Sequence, residues 1–169
     1  MQSWGDFESA APEFATAARR LLIGPDDVAI GFLATASQGG TPHMAPVCPI
    51  FAGTNLYLSA ASRTPKVRDL RANPRYSLHA FLGPNDEELQ LLGSSYEVIS
   101  ETERDAVHKA IRFGSFDVEH PIFRLSIHAA VWVYWEKAGQ PDTRAVRKRW
   151  QSRTRAIDSG DERGEKTRS

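Results

Sequence analysis

The sequence predicts a mainly β protein, a small antiparallel barrel of six strands with a few helices between them. Three observations lead there. Residues 28–36 and 123–135 alternate their side chains with the two-residue period of a strand. Turn residues recur at short spacing, at Gln38-Gly39-Gly40, Gly53-Thr54-Asn55 and Gly83-Pro84-Asn85-Asp86. The helical patterns are few and do not alternate with strands as a wound parallel sheet requires.

The first twelve residues, MQSWGDFESAAP, are expected to be loosely held. Pro12 opens a helix in which Phe14, Ala17, Ala18, Leu21 and Leu22 share one face, and Gly24-Pro25 ends it. In the first strand Val28, Ile30, Phe32, Ala34 and Ala36 make a large face, and Ala29, Gly31, Leu33 and Thr35 a small one. The next segment, TPHMAPVCPIF, lies between two turns and reads as a strand, yet it holds Pro42, Pro46 and Pro49. Proline cannot donate to a ladder, so one side of this strand is expected to lack a regular neighbour. An edge in solvent and an edge facing a bound ligand both satisfy that.

A third strand, 55–61, leads into a helix from Pro65 to Ala72 that Asn73-Pro74 stops. A fourth covers 75–82. The fifth, 87–100, carries Gly93 in its middle, which suggests a bulge or sharp bend. Thr102 with Asp105 resembles a capping box and is expected to start a helix through Arg112. In the last strand Phe123, Leu125, Ile127, Ala129, Val131 and Val133 are expected to face the core. The opposite face, with Arg124, Ser126, His128, Ala130, Trp132 and Tyr134, suits a subunit interface or a ligand cleft better than open water. Arg144–Trp150 reads as one basic turn of helix. The chain thus divides into a body, 1–138, and a basic, flexible tail, 139–169.

Composition excludes several functions. The 21 basic and 21 acidic residues cancel, and residues 1–135 are net −4 against +4 for residues 136–169, so nucleic acid and an anionic membrane are poor partners. No apolar run approaches 18 residues and no leader pattern is present, which predicts a cytoplasmic protein. A single cysteine, Cys48, leaves no disulfide or thiolate cluster, and the five histidines include no pair three or four apart, so no metal is expected. Glycine-rich nucleotide signatures and a nucleophile elbow are absent. With no conventional acid, base or nucleophile, chemistry must come from a cofactor or there is none.

One stretch does point to a ligand. In SAASRTPKVRDLRANP, residues 59–74, a strand ends in small and hydroxyl residues and a helix begins with Thr64 at the N-cap and Pro65 at the first position. Unpaired amides at a helix N-terminus favour a phosphate there. Arg63 and Lys66 add charge, and Ser59, Ser62 and Thr64 add hydroxyl donors. A capped surface helix with solvated basic residues would show the same local pattern.

The run from Ile30 through Phe81, IGFLATASQGGTPHMAPVCPIF followed by LYLSAASRTPKVRDLRANPRYSLHAF, resembles the pyridoxamine 5'-phosphate oxidase-like, FMN-binding split-barrel family. The shared order is a strand ending in Ala-Thr, a Gly-x-Pro turn, a second strand, a third closing in a hydroxyl, then a lysine and an Asn-Pro-Arg run. The resemblance implies a homodimer of six-stranded split barrels with FMN in clefts between subunits. It implies a flavin-dependent oxidoreductase that moves hydride through flavin N5 to a small-molecule substrate. A deazaflavin-dependent reductase, or a non-catalytic dimer holding a flavin or haem, is the alternative, and FAD occurs in relatives as well. Lys66 and Thr64 would hold the phosphate, beside Arg63, Ser62 and Ser59. His43, Met44, Ala45, Pro46 and Val47 would lie along the ring and ribityl chain, with Gln90 reaching in from the partner and Trp135 packing on the flavin. In the oxidase proper an arginine and a lysine on the proline-rich strand engage the cofactor. Here Ala45 and about Ile50 occupy those positions, so oxidation of pyridoxamine phosphate itself is not expected.

Overall fold

The computed structural model describes residues 2–112 and 117–153. Its first half runs α1 (Trp4–Ala10), α2 (Pro12–Leu22), β1 (Gly31–Ala36), β2 (Pro42–Val47), β3 (Ile50–Ala52), β4 (Asn55–Ser59) and α3 (Pro65–Ala72). Then follow β5 (Arg75–Ala80), a 3-10 turn (Pro84–Asp86), β6 (Glu88–Glu97), α4 (Glu101–Ala110), β7 (Ile122–Glu136) and β8 (Arg144–Gln151). All strands join one antiparallel sheet in the order β2-β1-β5-β6-β7-β4-β3, and it curls as a split barrel. The 15-residue β7 is its spine: its first half pairs with β4, its second half with β8, and nearly its whole length with β6.

Eight strands replace the expected six for two local reasons. The proline-rich segment breaks between Val47 and Ile50, where Cys48-Pro49 cannot continue a ladder, so one expected strand becomes β2 and β3. The basic segment expected as a turn of helix is instead β8, an edge strand of alternating exposure. Its Val146, Lys148 and Trp150 turn inward while Arg147 and Arg149 face out. Trp150 packs edge-on against Phe7 at 4.9 Å, and Lys148 lies over the Trp132 ring at 5.2 Å. Residues 154–169, the rest of the expected tail, lie outside the described residues.

The N-terminus is not loosely held. Ser3 and Asp6 form a reciprocal capping box for α1, and Trp4 and Phe7 are fully buried. Each large side chain so buried is worth about 1.5–3 kcal/mol relative to exposure, enough to fix a seven-residue helix that would not form alone. The α4 helix starts at Glu101, with Ser100, two residues before Thr102, as the cap accepting from the Glu103 amide, and it ends at Ala110.

The core lies between the inner sheet face, where Leu33, Leu78, Leu89, Leu91 and Ala130 converge, and the apolar faces of α1 and α2. Two strand faces differ from a simple reading. On β1 the small face, Gly31, Leu33 and Thr35, is the buried one: Leu33 joins the core, and at Gly31 a Cβ would meet Leu22 and Leu78 at 3.1 and 3.2 Å. On β7 the inward parity switches part-way. Leu92 pairs with Ala129 but Gly93 pairs with Ile127, so His128 is the extra residue of a bulge. Leu125 and Ile127 face the core before it, Ala130 and Trp132 after it, and Val131 and Val133 turn to the other face, contrary to the expected alternation. The bulge foreseen at Gly93 exists, with its added residue on the neighbouring strand.

Candidate functional site

The phosphate-like stretch folds as a strand, turn and helix. The end of β4 passes through Ala60–Arg63 into α3, with Thr64 in extended conformation at the N-cap and Pro65 at the first helical position. No side chain caps the helix: the Thr64 hydroxyl donates back to the Ala61 carbonyl at 2.8 Å. The amides of the first turn therefore remain open. Among the described residues, Arg63 and Lys66 make no ion pair with any carboxylate. Ser59 spends its hydroxyl on the Pro121 carbonyl at 3.2 Å, which leaves Ser62, exposed in the turn, as the donor without an internal acceptor. The local arrangement is an uncompensated positive end, able to take an oxyanion without displacing any internal contact.

The proline-rich strand β2 forms one edge of the sheet. Among the described residues, its backbone groups directed away from β1 have no ladder partner, in keeping with Pro42 and Pro46 within it. Cross-strand register sorts its side chains. His43, Ala45 and Val47 stand opposite Thr35, Leu33 and Gly31 on the inner face, toward α3. Met44 and Pro46 stand opposite Ala34 and Phe32 on the outer face. Met44 is 72 % exposed. Gln90 and Trp135 also lie on that outer face, Gln90 donating to Ser77 Oγ at 2.8 Å and Trp135 at the far end of β7. One chain thus gathers Ser62, Arg63, Thr64 and Lys66 at the start of α3, with His43 linked to the same helix. It does not bring Gln90 or Trp135 to them.

Sequence reasoning missed a buried cluster beside this site. Asp69, on α3, accepts from Thr35 Oγ1 at 2.8 Å and from His43 Nδ1 at 2.6 Å, both through Oδ2. Burial pushes its carboxyl upward, but the hydrogen bonds from His43 and Thr35 outweigh that and hold it below the usual carboxylate range. The faint signal was an acid placed between Val67 and Leu70 on the apolar side of a short helix. Its partners are 26 and 34 positions away, beyond any local pattern.

Cys48 is half-buried and burial pushes its thiol up, the opposite of an activated nucleophile. Among the described residues no three His, Cys, Asp or Glu side chains group as metal ligands, and no helix is long and apolar enough to cross a membrane.

Residues 25–120 match the family model described as pyridoxamine 5'-phosphate oxidase. No curated protein matches the chain by sequence. Among solved structures, the fold is similar to a NimC/NimA family protein from Clostridium acetobutylicum, with a TM-score of 0.58 and 13 % identity over 85 % of this chain and 94 % of that one. An FAD-binding protein from Mesorhizobium loti gives 0.53 and 22 % over 69 % and 91 % of the two chains. A heme-binding protein from Mycobacterium smegmatis gives 0.53 and 18 % over 77 % of this chain, which spans only 57 % of that one. At such identities the likeness is one of fold, on which one of these proteins binds FAD and another heme.

Proposed function

The chain belongs to the pyridoxamine 5'-phosphate oxidase family, matched over residues 25–120, and from that premise we propose that it is an FMN-dependent oxidoreductase working as a homodimer. The observation that carries the reading is the uncapped start of α3, flanked by Arg63 and Lys66 without counter-charges. That end fits a phosphate monoester in charge and in open donors. The free edge of β2 fits a flat heterocycle, because backbone donors and acceptors there can bond the rim of a ring while Ala45 adds little bulk.

FMN, when bound, supplies hydride chemistry at its ring, and the chain supplies placement. Lys66, Arg63 and the α3 amides anchor the phosphate, with Ser62 as the neighbouring hydroxyl. Gln90 and Trp135 serve the cleft of the partner copy, since in their own chain they lie on the opposite sheet face. The outer face that presents them is largely apolar, running from Met44 and Phe32 through Leu92 to Val131 and Val133, and a second copy covers it in this reading.

Reconstitution tests the proposal. Protein mixed with FMN should retain flavin absorbance after gel filtration, and Lys66→Ala should weaken binding by about 1–3 kcal/mol, the scale of a charge-assisted hydrogen bond. No retained flavin would sink the reading. Tighter binding of a deazaflavin, FAD or haem would move the chain to another cofactor on the same fold.

A further inference from the structure

The Thr35–Asp69–His43 cluster is more than a tie between helix and sheet. The Asp69 side chain is 1 % exposed, and among the described residues its Oδ1 has no hydrogen-bond partner. Taking a carboxylate out of water costs several kcal/mol, and an apolar residue would pack α3 on β1 without that cost. What the carboxylate adds is directional. Ionised, it can only accept, so the His43 proton facing it resides on Nδ1. The other ring nitrogen, Nε2, makes no hydrogen bond among the described residues, and His43 is 37 % exposed on the edge strand. Asp69 also sits one turn beyond Lys66, so one short helix presents the open positive end and clamps the imidazole next to it.

We propose that Asp69 is a positioning residue that fixes the His43 ring by Nδ1 and aims Nε2 at the phosphoribityl arm of the bound flavin, as a hydrogen-bond partner for an oxygen of that arm. This rests on the FMN reading above. Thr35 completes the device by sharing Asp69 Oδ2, which keeps the carboxylate turned toward β2. Arg68, exposed on α3, is the nearby cation that favours the ionised carboxylate.

Nitrogen-15 NMR of histidine-labelled full-length protein reads the clamp directly. In the ligand-free protein His43 should carry its neutral-form proton on Nδ1. FMN and riboflavin should shift its Nε2 resonance, and lumiflavin, which has the ring but no polyol arm, should not. Asp69→Leu, which removes the acceptor, should move the tautomer toward Nε2–H and weaken FMN binding roughly tenfold, the scale of one hydrogen bond. Thr35→Val should leave the tautomer in place. A wild-type His43 already protonated on Nε2 would overturn the clamp whatever the cofactor. FMN that binds without moving Nε2, or an equal shift with lumiflavin, would overturn the contact with the arm. Failure of the wild type to bind FMN at all would instead overturn the flavin reading and the contact with it, leaving the ligand-free tautomer to decide the clamp. Because the wild-type measurements stand alone, a variant that fails to fold removes nothing from the test.

Discussion

Glu87 shows how a single side chain can join three elements. It is buried just after the 3-10 turn, and its Oε1 accepts from Arg20 of α2 at 2.5 Å and from the Trp132 indole of β7 at 2.7 Å. The Arg20 hydrogen bond holds its carboxyl below the usual range despite burial. A depressed carboxylate stabilises the fold fully above its unfolded value, about 4.3, and that contribution is lost as pH falls through the lower folded value. Thermal melts of wild type and Glu87→Gln should therefore differ by a constant interval from neutral pH down to about 5, and the interval should shrink as pH falls through the depressed folded value. An interval that ignores pH would show that the charge is not what stabilises. None of these partners was legible locally: Arg20 and Trp132 lie 67 and 45 positions away, on surfaces that only folding brings together.

Among the elements, the β6 and β7 pair is the least tolerant. A Cβ on Gly93 would stand 1.7 Å from the Ser126 carbonyl oxygen, a backbone atom held in the ladder, and 2.9 Å from the Tyr76 hydroxyl. Gly93→Ala should cost about 3 kcal/mol or more, read as a fall in the urea midpoint. A loss below about 1 kcal/mol would mean the two strands separate easily there. The β8 strand makes the second prediction at this scale. Trp150 caps the packing of α1 through Phe7, so Trp150→Ala should cost about 2 kcal/mol, less than a fully buried tryptophan because the ring is half exposed. An unchanged midpoint would make β8 an adherent edge with no share in the core. The sequence disclosed Gly93 because glycine inside a strand is a local anomaly. It hid β8 because a run of arginines resembles a solvated tail until β7 offers it a free edge.

For the molecule as a whole, the decisive feature is a sheet whose outer face is covered only in part, at the β3–β4 end where Val107 of α4 packs with Ile50, Tyr57 and Ile122. Helices α1 and α2 close the inner side, while the outer side leaves Phe32, Leu92, Val131 and Val133 only half-buried. In the proposed reading a second copy covers the exposed part of that face, so that the dimer and the cofactor cleft would form together. Val131→Glu should shift the sedimentation of the protein toward the monomer and abolish FMN retention together, since a charge at the centre of an apolar interface is left without a partner. A Val131→Glu dimer would place the interface elsewhere. A monomer that still retains FMN would show that the site is complete within one chain.

Local sequence signals were enough for the mainly β class, the family, the helices α2 and α3, the edge character of β2 and the basic start of α3. These are carried by short-range signals: period, proline, glycine and cap residues act within a turn or two of where they stand. Tertiary structure alone decided which face of β1 is buried, where β7 changes parity, that β8 exists, and that Asp69 grips His43. Each of these depends on residues far apart in the chain meeting across the sheet, where one extra residue reverses every side chain beyond it. The helix that opened toward a phosphate in the sequence is, in the fold, also the helix that holds the histidine beside it.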